Sequence, residues 1–141
     1  MRTVCIFMLI TAVIALKTAE AKIFKKCDLV HQLKKHGVPK DEWSDWVCIA
    51  KGESSYNTKA INTHNPDGSY DYGIFQINNR YWCKTGSKGH ECNIKCEDLL
   101  NDDISEDIRC AQLIKKMQGF KAWVAWNKKC NGKPKPDISK C

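Results

Sequence analysis

The sequence lacks a second long apolar run. After "VCIFMLITAVIAL" at residues 4–16, no segment approaches the length that crosses a bilayer, so no internal membrane span is expected. It has no N-x-S/T site, which excludes N-linked glycans. No internal repeat or low-complexity tract follows residue 21, which excludes a repeat architecture. Acids are in deficit, 16 Asp and Glu against 23 Lys and Arg, for a net charge of +7. No histidine spacing accompanies the clustered cysteines Cys83, Cys92 and Cys96, which argues against a zinc site there.

What is present begins with a targeting segment. "MR" is a short basic start, the apolar core follows, and "AEA" ends in small residues of the A-x-A type. This reads as a secretory signal over residues 1–21, cleaved after Ala21, with one domain over residues 22–141. The signal holds Arg2, Lys17 and Glu20, so the remainder carries +6, one unit less than the whole chain. A basic secreted protein is drawn to anionic surfaces such as bacterial envelopes, nucleic acid or glycosaminoglycans, and the charge alone does not choose among them. Cys5 leaves with the signal. Eight cysteines remain: Cys27, Cys48, Cys83, Cys92, Cys96, Cys110, Cys130 and Cys141. An even number in a small secreted domain implies four disulfides, with 105 possible pairings.

Helical spacing dominates both ends of the domain. Leu29, Val30 and Leu33 mark a helix over 26–36 that stops at Gly37. Asp41 is a candidate N-cap for a second helix, in which Trp43, Trp46, Val47 and Ala50 share a face. From about residue 57 the texture turns to Asn, Thr and aromatics around "NPDG". Proline presets φ and glycine accepts positive φ there, so extended flanks predict a hairpin. Residues 78–98 read as irregular loop pinned by three cysteines. Helical spacing returns at Ile104, Ile108, Ala111 and Ile114, after Asp102 and Asp103, and again in "FKAWVAWNKKC". Asn131-Gly132 is positioned to stop that last helix. The fold class is α+β, a mainly helical lobe with a small antiparallel lobe.

Two carboxylates stand out against this frame. Glu53 lies three residues past Ala50, at the rim of the apolar stripe and near a helix C-terminus. Desolvation and the negative end of the helix dipole both favour its protonated form. Asp71 follows the turn in "GSYDYG", among polar neighbours that include Asn62, Gln76 and Asn78. That environment favours an ionised carboxylate. An acid that keeps its proton facing one that does not is what glycoside hydrolysis requires. From position alone, however, Glu53 reads more simply as a snorkelling surface glutamate and Asp71 as a strand-edge residue beside a turn.

The segments "WVCIAKGESSYNT", "DGSYDYGIFQIN", "YWC" and "AWVAWNKKC", in that order, together with the spacing of eight cysteines, resemble the c-type lysozymes over essentially all of residues 22–141. The resemblance implies a helical lobe and a β lobe with a cleft between them. It implies hydrolysis of the β-1,4 bond between N-acetylmuramic acid and N-acetylglucosamine in peptidoglycan, with retention of configuration. Glu53 matches the family's general acid/base and Asp71 its nucleophilic or ion-stabilising carboxylate. Trp123 matches the tryptophan packed against the acid, and Asn62, Gln76, Asn78, Tyr81, Trp82 and Ala122 match positions lining the sugar cleft. The implied disulfides are Cys27–Cys141, Cys48–Cys130, Cys83–Cys96 and Cys92–Cys110. The expectation is a secreted, monomeric antibacterial enzyme. It needs no cofactor or metal, binds bacterial wall peptidoglycan rather than nucleic acid, and does not insert stably into membranes.

The chain departs from the family pattern in places. Tyr81 stands where many members carry tryptophan, the segment after Cys110 is one residue short, and the hairpin around "HNPDG" is one residue long. Two other readings compete. The α-lactalbumins share the fold, bind calcium and are not hydrolases. Their calcium loop falls on "DLLNDDISEDI", with Asn101, Glu106 and Asp107 at side-chain ligand positions and Asp98 and Asp103 offering carbonyls. Asn for a carboxylate loses a charge there, so the segment reads as an acidic helix start, and the presence of both Glu53 and Asp71 favours an enzyme. A cationic protein that kills without hydrolysis is the second reading. His31, His36, His64 and His90 are scattered and read as surface residues.

Overall fold

A computed structural model describes residues 22–141; the expected secretory segment 1–21 lies outside the described residues. Three α-helices form the larger lobe: α1 at Lys26–Lys35, α2 at Trp43–Ser54 and α3 at Ser105–Gln118. The smaller lobe is an antiparallel sheet in the order β1-β2-β3, with β1 at Ile61–Asn62, β2 at Asp71–Tyr72 and β3 at Ile77–Asn78. Short 3₁₀ turns occupy Lys40–Glu42, Cys96–Leu100 and Phe120–Ala122, and a π-helical turn occupies Trp126–Cys130.

Each helix buries the stripe that its spacing predicts. Leu29, Val30 and Leu33 of α1, Trp46, Val47, Ile49 and Ala50 of α2, and Ile108, Ala111 and Ile114 of α3 belong to one core. Trp46 is the hub: its ring meets Phe75, Phe120 and Trp123 edge-on with centroids 5.0–5.5 Å apart. Trp43 is only half-buried and spends its indole N–H on the Val38 carbonyl. The four disulfides are Cys27–Cys141, Cys48–Cys130, Cys83–Cys96 and Cys92–Cys110.

Two local expectations give way to tertiary packing. Asp41 does not cap α2. It lies inside the 3₁₀ turn, α2 starts at Trp43 without a side-chain cap, and Glu42 instead accepts from the Trp46 indole and pairs with Lys115. The last helix is not continuous either. Trp123 takes an extended backbone (φ −96°, ψ 122°) between the Phe120–Ala122 turn and the helical residues that follow. Its indole N–H donates to the Phe75 carbonyl at 2.9 Å, so a bond between the lobes overrides local helical spacing.

The lobes are joined at the cleft floor. Ser54 Oγ, in the last turn of α2, donates to the Ile74 carbonyl at 2.7 Å. Gly73 allows the closest approach. Its φ is +76°, and a Cβ there would fall 2.2 Å from the Leu99 carbonyl oxygen and 2.6 Å from Asp107 Oδ2. Asp107 is fully buried, and burial pushes its carboxyl well above the usual range. Nearby, Asp102 accepts from the Thr58 hydroxyl, and Asp103 accepts from the Ser105 N–H and hydroxyl at the start of α3.

Candidate active site

The sheet itself assembles the environment of Asp71. In its register Asp71 sits on β2 opposite Asn62 on β1 and opposite Asn78 on β3. Directly paired residues of antiparallel strands project to the same face, so two asparagines flank one carboxylate. Asn62 Nδ2 donates to Asp71 Oδ2 at 3.2 Å, and Asn78 Nδ2 donates to Oδ1 at 2.8 Å. A third amide comes from Asn65, the first residue of the "NPDG" turn, whose Nδ2 donates to Oδ2 at 2.9 Å. A carboxylate acting only as an acceptor is matched by such a ring of donors.

The turn beneath is fixed in its own right. Gly68 (φ +77°) donates its N–H to the Asn65 carbonyl. Asp67 accepts from the Ser69 hydroxyl at 2.6 Å, from the Ser69 N–H at 3.0 Å and from Arg80 Nη1 at 3.0 Å, which together bring its carboxyl down to about 2. Ser69 Oγ in turn accepts from Asn78 at 2.8 Å and from Asn65 at 3.3 Å. Two of the three amides on Asp71, those of Asn65 and Asn78, are thus braced by Ser69, and the third, Asn62, is tied to Asn65.

Glu53 approaches from the helical lobe. It lies in the last turn of α2, which ends where Ser55 turns left-handed (φ 52°). Burial raises its carboxyl above the ordinary value, the Ala125 N–H bond at 3.0 Å opposes this, the Asp71 charge adds to it, and Lys129 opposes it; the net direction is upward. Trp123, buried behind the cleft, packs edge-on against Trp46. Glu53 and Asp71 both line one cleft of about 430 Å³, walled also by Asn65, Gln76, Asn78, Trp82, Ala122 and Trp123. A carboxyl raised by burial and a carboxylate ringed by amides therefore share one concave surface.

The structure does not treat the remaining site candidates alike. Gln76 lines the cleft, but its Nε2 is spent on the Ala60 and Gly73 carbonyls, so it stabilises the β lobe as well. Both Asn78 donors are spent on Asp71 and Ser69. Trp82 lines the cleft yet is only 7 % exposed, so most of its surface is core. Tyr81 is 57 % exposed and does not line the cavity; Arg80 lies 5.5 Å from its ring centroid. Asn62 is outside the cavity lining and acts through Asp71 and Asn65. Sequence reasoning missed Asn65 and Ser69, which look like ordinary turn residues. The available signal was the concentration of asparagine before Asp71, with Asn62 and Asn65 both inside the long hairpin.

The model of the C-type lysozyme/alpha-lactalbumin family matches residues 22–141. Lysozyme c-1 of Anopheles gambiae is 49 % identical over 95 % of each chain, and a lysozyme of Bombyx mori is 47 % identical over the full length of both. Among solved structures, a lysozyme from Litopenaeus vannamei is 44 % identical with a TM-score of 0.73, covering 85 % of this chain and 94 % of that one. With likeness of this extent in both sequence and fold, the chain belongs to the C-type lysozyme/alpha-lactalbumin family.

Proposed function

We propose that Glu53 and Asp71 are the catalytic pair of this lysozyme-type glycoside hydrolase, acting on the β-1,4 bond that follows an N-acetylmuramic acid unit in bacterial peptidoglycan. The observation that carries the reading is the meeting of the two carboxyls in one cleft, one raised by burial and the other ringed by three amides.

In the first step Glu53 gives its proton to the glycosidic oxygen as the bond to the anomeric carbon breaks. An Asp71 oxygen bonds to that carbon, giving a glycosyl-enzyme. In the second step Glu53, now a carboxylate, takes a proton from water, which displaces Asp71. Two displacements at one carbon retain its configuration. Asn62, Asn65 and Asn78 keep Asp71 aimed throughout. Trp82, Ala122, Trp123 and Gln76 shape the sugar-binding walls.

The substrate side of the proposal is a wall-directed antibacterial enzyme that works as a monomer. Residues 1–21 act as the secretory signal for a single domain at 22–141, and the four disulfides suit an oxidising compartment. Clearing of a bacterial wall suspension by a Glu53→Gln variant tests the chemistry: wild-type speed in that variant would end the reading. Proton NMR of freshly released product tests stereochemistry, with the β anomer expected first.

A further inference from the structure

A second trough, about 390 Å³ in volume, runs between the C-terminal half of α2 and residues 129–136. Lys51, Ser55, Lys129 and Lys135 line it together with Gly52. It adjoins the catalytic cleft. Gly52 precedes Glu53, and a side chain at Gly52 would meet Ala125 Cβ at 2.8 Å and Lys129 Cδ at 3.4 Å. Ala125 is the residue whose N–H holds Glu53. The missing side chain at 52 therefore lets the Ala125–Lys129 segment lie against α2 and brings Lys129 near enough for its charge to act on Glu53.

The trough gathers three lysines. No acid lines it. Lys135 pairs with Asp45 Oδ1 at 3.1 Å, and that oxygen also accepts from the Trp126 indole at 2.7 Å. Both Lys51 and Lys129 are exposed, and among the described residues no hydrogen bond or ion pair within 4 Å is made by either ammonium group, although the Lys129 charge acts on Glu53 through space. Like charges gathered in a concave site raise the local concentration of anions.

The shape and lining narrow the anion. A trough walled on two sides accepts a slender chain better than a flat headgroup plane. Nucleic-acid strands are held by aromatic platforms as well as cations, and this trough has no aromatic lining. We infer that the trough formed by Lys51, Lys129 and Lys135 is an exosite for wall-borne phosphodiester polymer, holding a polyol phosphate strand beside the glycan being cut. The inference rests on the wall-hydrolase reading of the cleft, since the wall is what presents glycan and phosphate polymer together.

The test uses poly(glycerol phosphate) as the calorimetric probe, with Lys51→Glu, the milder Lys51→Gln, and Lys88→Glu as an exposed lysine away from the trough. Lys51→Glu is expected to weaken binding about tenfold and to lower the salt slope by about one, whereas Lys88→Glu changes affinity less than about twofold. Lys51→Gln falls between wild type and Lys51→Glu. Lys51→Glu should clear polymer-bearing walls more slowly, yet cut wall glycan stripped of phosphate polymer at the wild-type rate. Equal loss in the Lys51 and Lys88 variants would overturn the exosite, as would an unchanged affinity in Lys51→Glu. So would a tenfold loss seen only for anionic lipid vesicles or oligothymidylate. If the wild type fails to cut stripped glycan, the hydrolase reading falls and the exosite's role with it. Polymer binding indifferent to Lys51 removes the exosite alone.

Discussion

The Ala125 N–H donates to Glu53 Oε1 at 3.0 Å, yet the Glu53 carboxyl still holds its proton more tightly than a free glutamate. Burial outweighs a bond that favours the charged form. The consequence for stability follows from the direction of the shift: the folded state binds this proton more strongly than the unfolded chain. The stabilising contribution is complete below the unfolded value and is lost as pH rises through the folded one. Glu53→Gln removes the ionisation while keeping an acceptor for Ala125. The variant should melt above the wild type near neutral pH, and the difference should close towards pH 4. Thermal melts across pH check this. Its wall-clearing rate should fall by about a hundredfold or more.

Asn65→Ala removes one of three amides from Asp71, together with the acceptor for Asn62 Nδ2 and a donor to Ser69 Oγ, while leaving the strand pairing in place. A hydrogen bond to a charged group is worth about 1.5–3 kcal/mol, so the rate should drop by roughly ten- to a hundredfold. Initial rates of wall clearing at fixed salt check it. A rate within twofold of wild type would show that Asn62 and Asn78 suffice.

Gly73→Ala should be among the most damaging single changes. The φ of +76° and a contact of 2.2 Å with the Leu99 carbonyl oxygen act together, and the obstacle is backbone, which cannot rotate away. A loss of about 3 kcal/mol or more is expected in chemical denaturation. A well-folded variant within 1 kcal/mol of wild type (an order-of-magnitude threshold) would contradict the close lobe packing.

Replacing both Cys27 and Cys141 by alanine opens a closure that spans a sequence separation of 114. Loop-closure entropy predicts a loss of about 4–5 kcal/mol. Activity at low temperature should survive, because neither cysteine lines the catalytic cleft. Denaturation midpoints and wall clearing at 10 °C and 37 °C, assay temperatures on the order of those that bracket such a loss, separate the two effects.

Much of this protein was legible without coordinates. The helical stripes of α1, α2 and α3 follow from spacing, because amphipathic periodicity and burial are the same fact seen twice. The hairpin was readable because "NPDG" has a local mechanism. Cysteine number gave a disulfide framework but not its connectivity, since pairing depends on which segments meet. Family likeness supplied the roles of Glu53 and Asp71, where position alone favoured surface and strand-edge readings.

The tertiary structure decided what no local pattern contains. The register of three two-residue strands turns Asn62 and Asn78 towards Asp71, and the turn brings Asn65 to the same oxygen as Asn62. Packing of the lobes through Gly73, Ser54 and Trp123 buries Glu53 enough for desolvation to outweigh the Ala125 bond. It also breaks the last helix at Trp123 and sets Lys51 and Lys129 on one trough. Periodicity and turn chemistry act over a few residues, whereas desolvation and charge clustering arise from groups far apart in the chain. Sequence determined the elements and the residue types; only their packing determined that Glu53 is desolvated and that Asp71 is ringed by amides.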